Sequence, residues 1–209
     1  GLGLHHHAGA AAVRGVVDGA VLVVGPPAQV VHADVDKQLA AQGVILESLQ
    51  EAITNHEELV RDHLATDAVP AEEGKFAALN AALWSDGIFL YVPKGVQLEL
   101  PVRVTCWLSE AGTAYFSRVL IVAEAQSQVS YVDEVLSDDF ESQTYTSTAV
   151  ELIARDGARV AVADRDEVGA LQTVDAIADH GGEAIFVPVD VAKSADVKAM
   201  VTTTTEAYG

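Results

Sequence analysis

The run from Lys75 to Leu100, KFAALNAALWSDGIFLYVPKGVQLEL, and the six residues after it constrain the fold most. Phe76, Leu79 and Leu83 recur at helical spacing, which predicts a helix with one apolar stripe. Ser85-Asp86-Gly87 supplies turn chemistry, so the helix should break at Gly87. Ile88 to Val92 is then a short run of β-formers, and Pro93-Lys94-Gly95 turns the chain again. Beyond it Val96, Leu98, Leu100, Val102, Val104 and Cys106 alternate with Gln97, Glu99, Pro101, Arg103 and Thr105. Strict period two means a strand with one buried face. Pro101 has no N–H for a ladder, which predicts an edge or a bulge there.

Further strand signals follow at Tyr115 to Ala123, Gln128 to Asp133 and Thr144 to Ile153, without intervening helices. The pattern requires stacked or sandwiched sheets, and periodicity alone does not choose between them. Glu134 to Glu141, with four acidic residues, reads as a solvated turn. Upstream, Ser48 to Leu64 reads as a helix opened by a Ser48–Glu51 capping box. Leu49, Ala52, Ile53, Val60 and Leu64 lie roughly along one face of it. His56 and His63 sit one heptad apart on that helix, about 10 Å by helical rise, too far to share one metal ion. They read as surface residues. Residues 66–74 read as a loop. Val16 to Val24 suggests a hairpin around Asp18-Gly19, ended by Gly25-Pro26-Pro27, with Gln29 to Val35 as another strand. His5-His6-His7 reads as part of a tail rather than a fixed metal site.

After Gly157 the pattern changes. Ala158 to Ala163 predicts a strand and Asp166 to His180 a helix carrying Val168, Leu171, Val174 and Ile177. Gly181-Gly182 would end that helix in a left-handed cap. Ala184 to Val189 is a second strand, and Ser194 to Tyr208 a second helix. Strand–helix–strand–helix is the doubly wound pattern.

Charge and cysteine usage narrow the function classes. The 209 residues hold 12 basic and 31 acidic side chains, a net charge of −19, which argues against autonomous nucleic-acid binding. Cys106 is the single cysteine, so neither an intrachain disulfide nor a Cys-rich metal cage can form. Its place on the apolar face of an alternating strand reads as core rather than as a reactive thiolate. No apolar run suits a membrane span and no signal peptide is evident, which points to a cytoplasmic location. Ser85, Ser117 and Ser127 lie in no nucleophile-elbow context. No catalytic and no metal-ligating constellation emerges.

The segment FAALNAALWSDGIFLYVPKGVQLELPV resembles the SufB/SufD family of iron–sulfur cluster assembly proteins. The similarity extends back through LAAQGVILESLQEAITNHEELVRDHL and forward through FSRVLIVAEAQSQVSYVDE, over about residues 37–155. It implies a right-handed parallel β-helix-like core, a non-enzymatic SufD-like scaffold role, and partners of two kinds, a SufB-like homologue and a SufC-like ATPase. An iron–sulfur cluster would enter only through the assembled complex, with no cofactor expected in isolation. The cysteine and histidine that the family uses near the far end of its core have no counterparts here.

A second segment, GARVAVADRDEVGALQTVDAIADHGGEAIFVPVDVAKSADVKAMV, resembles the second and third strands of a short-chain dehydrogenase/reductase. That resemblance places Asp164 at the acidic position that bonds the adenosine ribose of NAD, and Asp190 with Val191 at the pair that lies against adenine. No Gly-rich turn precedes Arg159 to hold a pyrophosphate, and no Tyr-x-x-x-Lys is present, since Tyr208 has no lysine four residues on. These positions read as vestigial, and nicotinamide-dependent turnover is not expected. The alternative function is an NAD(P)-binding reductase relative.

The expectation is therefore an α+β hybrid in three parts. An N-terminal helical α/β region (residues 1–70) precedes an incomplete β-helix-like core (71–155) and a β-α-β-α Rossmann-like fragment (156–209). Missing distal rungs would leave strand edges open, favouring association with partners or with further copies of the chain.

Overall fold

The computed structural model describes residues 21–25, 29–34, 37–66, 68–98, 102–108, 110–155, 159–179, 181–190 and 193–208. The His5–His7 triplet, the Asp18-Gly19 turn, Pro101 and Val191 lie outside them. The chain is of mixed α+β type. Its strands are β1 (Val21–Gly25), β2 (Gln29–Asp34), β3 (Ile45–Ser48), β4 (Asp86–Val92), β5 (Val102–Leu108), β6 (Ala114–Ala123), β7 (Tyr131–Ser137), β8 (Tyr145–Ala154), β9 (Arg159–Asp164) and β10 (Glu183–Pro188). Its helices are α1 (Lys37–Ala41), α2 (Leu49–Asn55), α3 (Glu57–Arg61), α4 (Lys75–Leu83), α5 (Glu167–Asp179) and α6 (Ser194–Tyr208).

From β4 to β8 the chain crosses between two sheets at every step. One sheet has the order β2-β1-β5-β7 and the other β3-β4-β6-β8. Strands β1, β5 and β7 run parallel, as do β4, β6 and β8. At the far end from β7 and β8, both sheets finish on antiparallel strands: β2 beside β1, and β3 beside β4. In the second sheet Asp86 lies opposite Ser117 and Ala114 opposite Tyr145, the same 31-residue offset twice.

The two sheets share one core. Ile88, Leu90, Val92, Val119 and Ile121 of the second sheet pack with Val102, Val104 and Cys106 of the first. The other face of the second sheet carries Phe89, Leu120 and Val122 against Leu49, Ala52 and Val60 of α2 and α3. Strands β4 and β6 are thus buried on both faces, which is why GIFLYV and RVLIVA read as continuous apolar runs rather than alternations. Each large side chain buried there contributes about 1.5–3 kcal/mol.

Several expectations are corrected by this packing. Asp86 and Gly87 do not form a turn; they open β4. Gly87 lies opposite Arg118, and a Cβ built on it would stand 1.7 Å from the Arg118 carbonyl oxygen. Glycine is required by backbone approach, not by turn geometry. The α4 stripe is not a core face: Phe76 is 58% exposed and Leu83 51%, while Asn80 is buried. Asn80 docks the helix by donating from Nδ2 to the carbonyls of Ser117 and Ser147, 3.0 Å each. Strand β7 runs through Glu134 to Ser137, because β5 offers it partners from Val102 to Leu108. Gln128, expected to begin that strand, makes only a single bridge to Gln97.

The predicted helix from Ser48 to Leu64 is broken at His56, whose backbone leaves the helical region at φ −133°, ψ 42°. Its Nε2 lies 2.7 Å from Glu47 Oε1. Half of the capping box forms as read, with Ser48 Oγ accepting from Glu51 N, while the Glu51 carboxylate accepts from the Ser48 hydroxyl rather than from a backbone amide. Ile53, placed on the buried face, is 40% exposed. A tight 3-10 turn (Ala71–Glu73) interrupts the loop before α4.

The β-α-β-α unit stands as anticipated in outline. Strands β9 and β10 are adjacent and parallel, Arg159 opposite Glu183 through Asp164 opposite Pro188. Gly181 at φ +81° terminates α5, its N–H and that of Gly182 donating to the Ala178 and Ile177 carbonyls. The buried residue of α5 is Ala170, whereas Val168 and Leu171 are exposed. These two strands pair only with each other among the described residues.

Candidate functional site

The strongest concentration of buried polar chemistry lies on the helix-covered face of the second sheet. Arg118 of β6 and Glu151 of β8 are 2% and 0% exposed. They form a two-point pair, Arg118 Nε donating to Glu151 Oε2 at 2.8 Å and Nη2 to Oε1 at 3.0 Å. Parallel pairing sets it up: Arg118 lies opposite Ala149 and Leu120 opposite Glu151, so the two charges sit diagonally on one face. Arg118 Nη2 also donates to the Val69 carbonyl, and Ala65 N–H donates to Glu151 Oε2, 3.2 Å each. Ala65 holds φ +55°, a left-handed conformation that costs a non-glycine residue on the order of 1 kcal/mol. The pair thus clasps the loop at residues 65–69 onto the sheet.

A second contact ties down the same loop. Arg155 Nη2 lies 3.1 Å from His63 Nε2. Arginine has no acceptor, so in this contact the guanidinium donates and the ring nitrogen accepts. His63 is only 7% exposed, which corrects its reading as a surface residue. Arg118, Glu151 and Arg155 were not singled out from the sequence. The available signal was an Arg within FSRVLIVA and a Glu within TAVELIA, each a charge on an otherwise apolar face. Two such charges of opposite sign on neighbouring strands must pair if buried.

Between the sheets, Cys106 sits in the shared core. Burial, with the Asp133 charge adding to it, pushes its thiol up to about 11. Burial likewise raises the Tyr115 and Tyr131 phenols, and the Tyr131 hydroxyl has no hydrogen-bond partner among the described residues. A protonated thiol in an apolar core is neither a nucleophile nor a ready metal ligand. Among the described residues no group of three or more His, Cys, Asp or Glu could hold a metal ion.

In the β-α-β-α unit the structure brings Asp164 and Asp190 to one end of the sheet. Asp164 closes β9, and its carbonyl accepts from Val189 N–H just past β10. Its exposed carboxylate accepts from Asp166 N–H at 2.9 Å, a local Asx turn. The Asp190 N–H donates to Asp196 Oδ2, and Asp190 Oδ2 lies 3.4 Å from Lys193 Nζ. The C-terminal ends of parallel strands are where open α/β sheets bind ligands, so the placement suits a nucleotide edge.

The fold therefore defines two classes of architecture in one chain: a stack of parallel strands shared between two sheets, and a β-α-β-α unit with two parallel strands. Comparison with known proteins assigns a family likeness to each. Residues 21–104 match the family model for the SufBD protein N-terminal region. Residues 146–209 match the family model described as enoyl-(acyl carrier protein) reductase. The second match begins inside β8, which pairs along its whole length with β6. Over 132 residues the chain is 36% identical to an iron–sulfur cluster assembly SufBD family protein of Staphylococcus epidermidis, covering 63% of this chain and 28% of the relative. Over 129 residues it is 33% identical to the iron–sulfur cluster assembly protein SufB of Bacillus subtilis, covering 62% and 28%. The chain thus spans about 28% of the length of the curated relatives it matches.

Proposed function

We propose that the strand-stack part of this chain is a non-enzymatic, SufD-like scaffold or interaction component of iron–sulfur cluster assembly. The observation that carries the proposal is the 132-residue similarity to SufBD family proteins. Alternation of parallel strands between two sheets supports reading residues 71–155 as the beginning of a parallel β-helix-like core. On this reading the chain works in the cytoplasm with a SufB-like homologue and a SufC-like ATPase, and any cluster is cargo of the assembled complex. The buried Arg118–Glu151 clasp and the protonated Cys106 belong to the scaffold and not to cluster ligation.

Residues 156–209 are read as a short-chain reductase fragment joined to that scaffold, without dehydrogenase chemistry. Co-elution of the purified full chain with the SufB-like and SufC-like subunits in size-exclusion chromatography tests the scaffold reading. A defined complex is expected, and elution of all three apart overturns it.

One observation favours a second reading, an NAD(P)-binding relative: Asp164 and Asp190 share the ligand-binding end of β9 and β10. Isothermal titration with NAD separates the two. Saturable binding abolished by Asp164→Ala supports nucleotide binding, and its absence leaves the scaffold alone.

A further inference from the structure

The two sheets end differently. At one end antiparallel β2 and β3 close them. At the other, β7 and β8 are the last strands, and no described residue pairs with their outer edges. Tyr145 and Arg155 N–H groups donate to the Thr113 and Ala123 carbonyls of the β6 side. Backbone groups alternate sides along a strand, so Thr146, Thr148, Val150 and Leu152 turn theirs to the free edge. In β7, Asp138 N–H donates to Leu108 O, so the odd residues Tyr131 and Val135 turn theirs to the free edge.

The core is uncovered at this end. Val150 lies in register with Val119 and Val135 with Cys106, both buried, yet Val150 is 42% exposed and Val135 48%. Val132, Leu136 and Tyr145 are also exposed. An edge with open backbone groups and bare apolar side chains is a template for another strand.

Charge selects the occupant. Between Arg118 and Arg155 the sequence has seven Asp or Glu and no Lys or Arg. Asp138, Asp139 and Glu141, all on the β7–β8 connection, are exposed. A second copy of this chain would bring the same acids against themselves. We propose that the open β7/β8 end is a docking surface for an extended, cationic segment of a partner protein, which adds a strand with alternating apolar and basic residues. The proposal stands on topology and charge alone, and so fails or holds separately from the assembly reading.

Fluorescence anisotropy with the full chain tests it. The probe is a labelled peptide as long as the 10-residue β8, alternating valine and lysine. One control alternates valine and glutamate, and another has the probe's composition in two blocks. Saturable 1:1 binding of the probe is expected, with neither control bound. Binding should fall roughly tenfold or more when salt is raised from about 0.05 to 0.3 M, and comparably in the variant Asp138→Lys/Asp139→Lys. Val150→Pro, which removes an outward N–H and leaves the β6 ladder, should abolish binding. If that variant unfolds, hydrogen exchange of the unsubstituted chain decides, with peptide-induced protection expected at residues 146, 148, 150 and 152. Equal binding of the block peptide reduces the effect to net charge and overturns the proposal. So does absence of saturable binding, or a salt-stable dimer in light scattering that masks the same amides.

Discussion

Replacing Glu151 with alanine leaves the Arg118 guanidinium buried without its carboxylate. Arg118 keeps one described acceptor, the Val69 carbonyl, while Nε loses its only named partner. Ala65 N–H loses its acceptor as well. Breaking a buried pair from one side costs about 3–5 kcal/mol, since the remaining charge keeps its desolvation penalty. With a urea m-value of about 2 kcal/mol/M, the unfolding midpoint of the strand stack should fall by roughly 1.5–2.5 M. The double variant Arg118→Met/Glu151→Leu removes both charges and fills the site with apolar atoms. It should recover most of the loss, because apolar replacement of a whole buried pair is often neutral. Far-UV circular dichroism gives the midpoints. Hydrogen exchange at Ala65 gives the local effect, protection lost in Glu151→Ala. A single-variant loss below about 1 kcal/mol, or a double variant worse than the single, would refute the clasp.

Further outcomes follow from the same geometry. Gly87→Ala forces a Cβ into the Arg118 backbone and should cost at least about 3 kcal/mol, the upper range for overpacking, read as loss of soluble folded protein; a melt within error of the parent contradicts the close approach. Cys106 should resist a disulfide reagent at pH 8 in the native chain and react at once in denaturant, and rapid native labelling would place it outside the core. A raised folded-state pKa favours the protonated native state, so this stability is full below the unfolded thiol value of 9.0 and lost as pH rises towards about 11. Tyr115 and Tyr131 act in the same direction above their ordinary 10.0, and chemical denaturation from pH 8 to 11 should show a steady fall. Asn80→Leu should release α4 from the Ser117 and Ser147 carbonyls, costing about 1–3 kcal/mol and raising hydrogen exchange across Lys75–Leu83.

Strand positions were the legible part of this sequence, since each element needs only local periodicity. The terminal α6 agrees to the residue, and β6 and β8 to within one. What local pattern could not carry was orientation. Phe76, Leu79 and Leu83 form a valid apolar stripe, yet the helix docks through Asn80, because two sheet carbonyls reward an amide donor there. Gly87 read as a turn because its constraint is a strand 31 residues away. The Arg118–Glu151 pair hid for the same reason: each charge is unfavourable alone and intelligible only once parallel pairing makes them neighbours. Asp164 and Asp190 were singled out through resemblance alone, and β9 and β10 carry them to a common end of their two-stranded sheet.

The strict crossing from sheet to sheet imposes a parity rule on the chain's history. Adding one strand anywhere between β4 and β8 would send every later strand to the opposite sheet. Placed between β6 and β8, it would part Glu151 from Arg118, and the inward series Val150 and Leu152 would meet a different wall. Insertions and losses are therefore tolerated in whole circuits of two strands, about the 31-residue step seen in the β4-β6-β8 sheet. A lineage of such chains should vary in length by discrete jumps, with smaller changes confined to the connections.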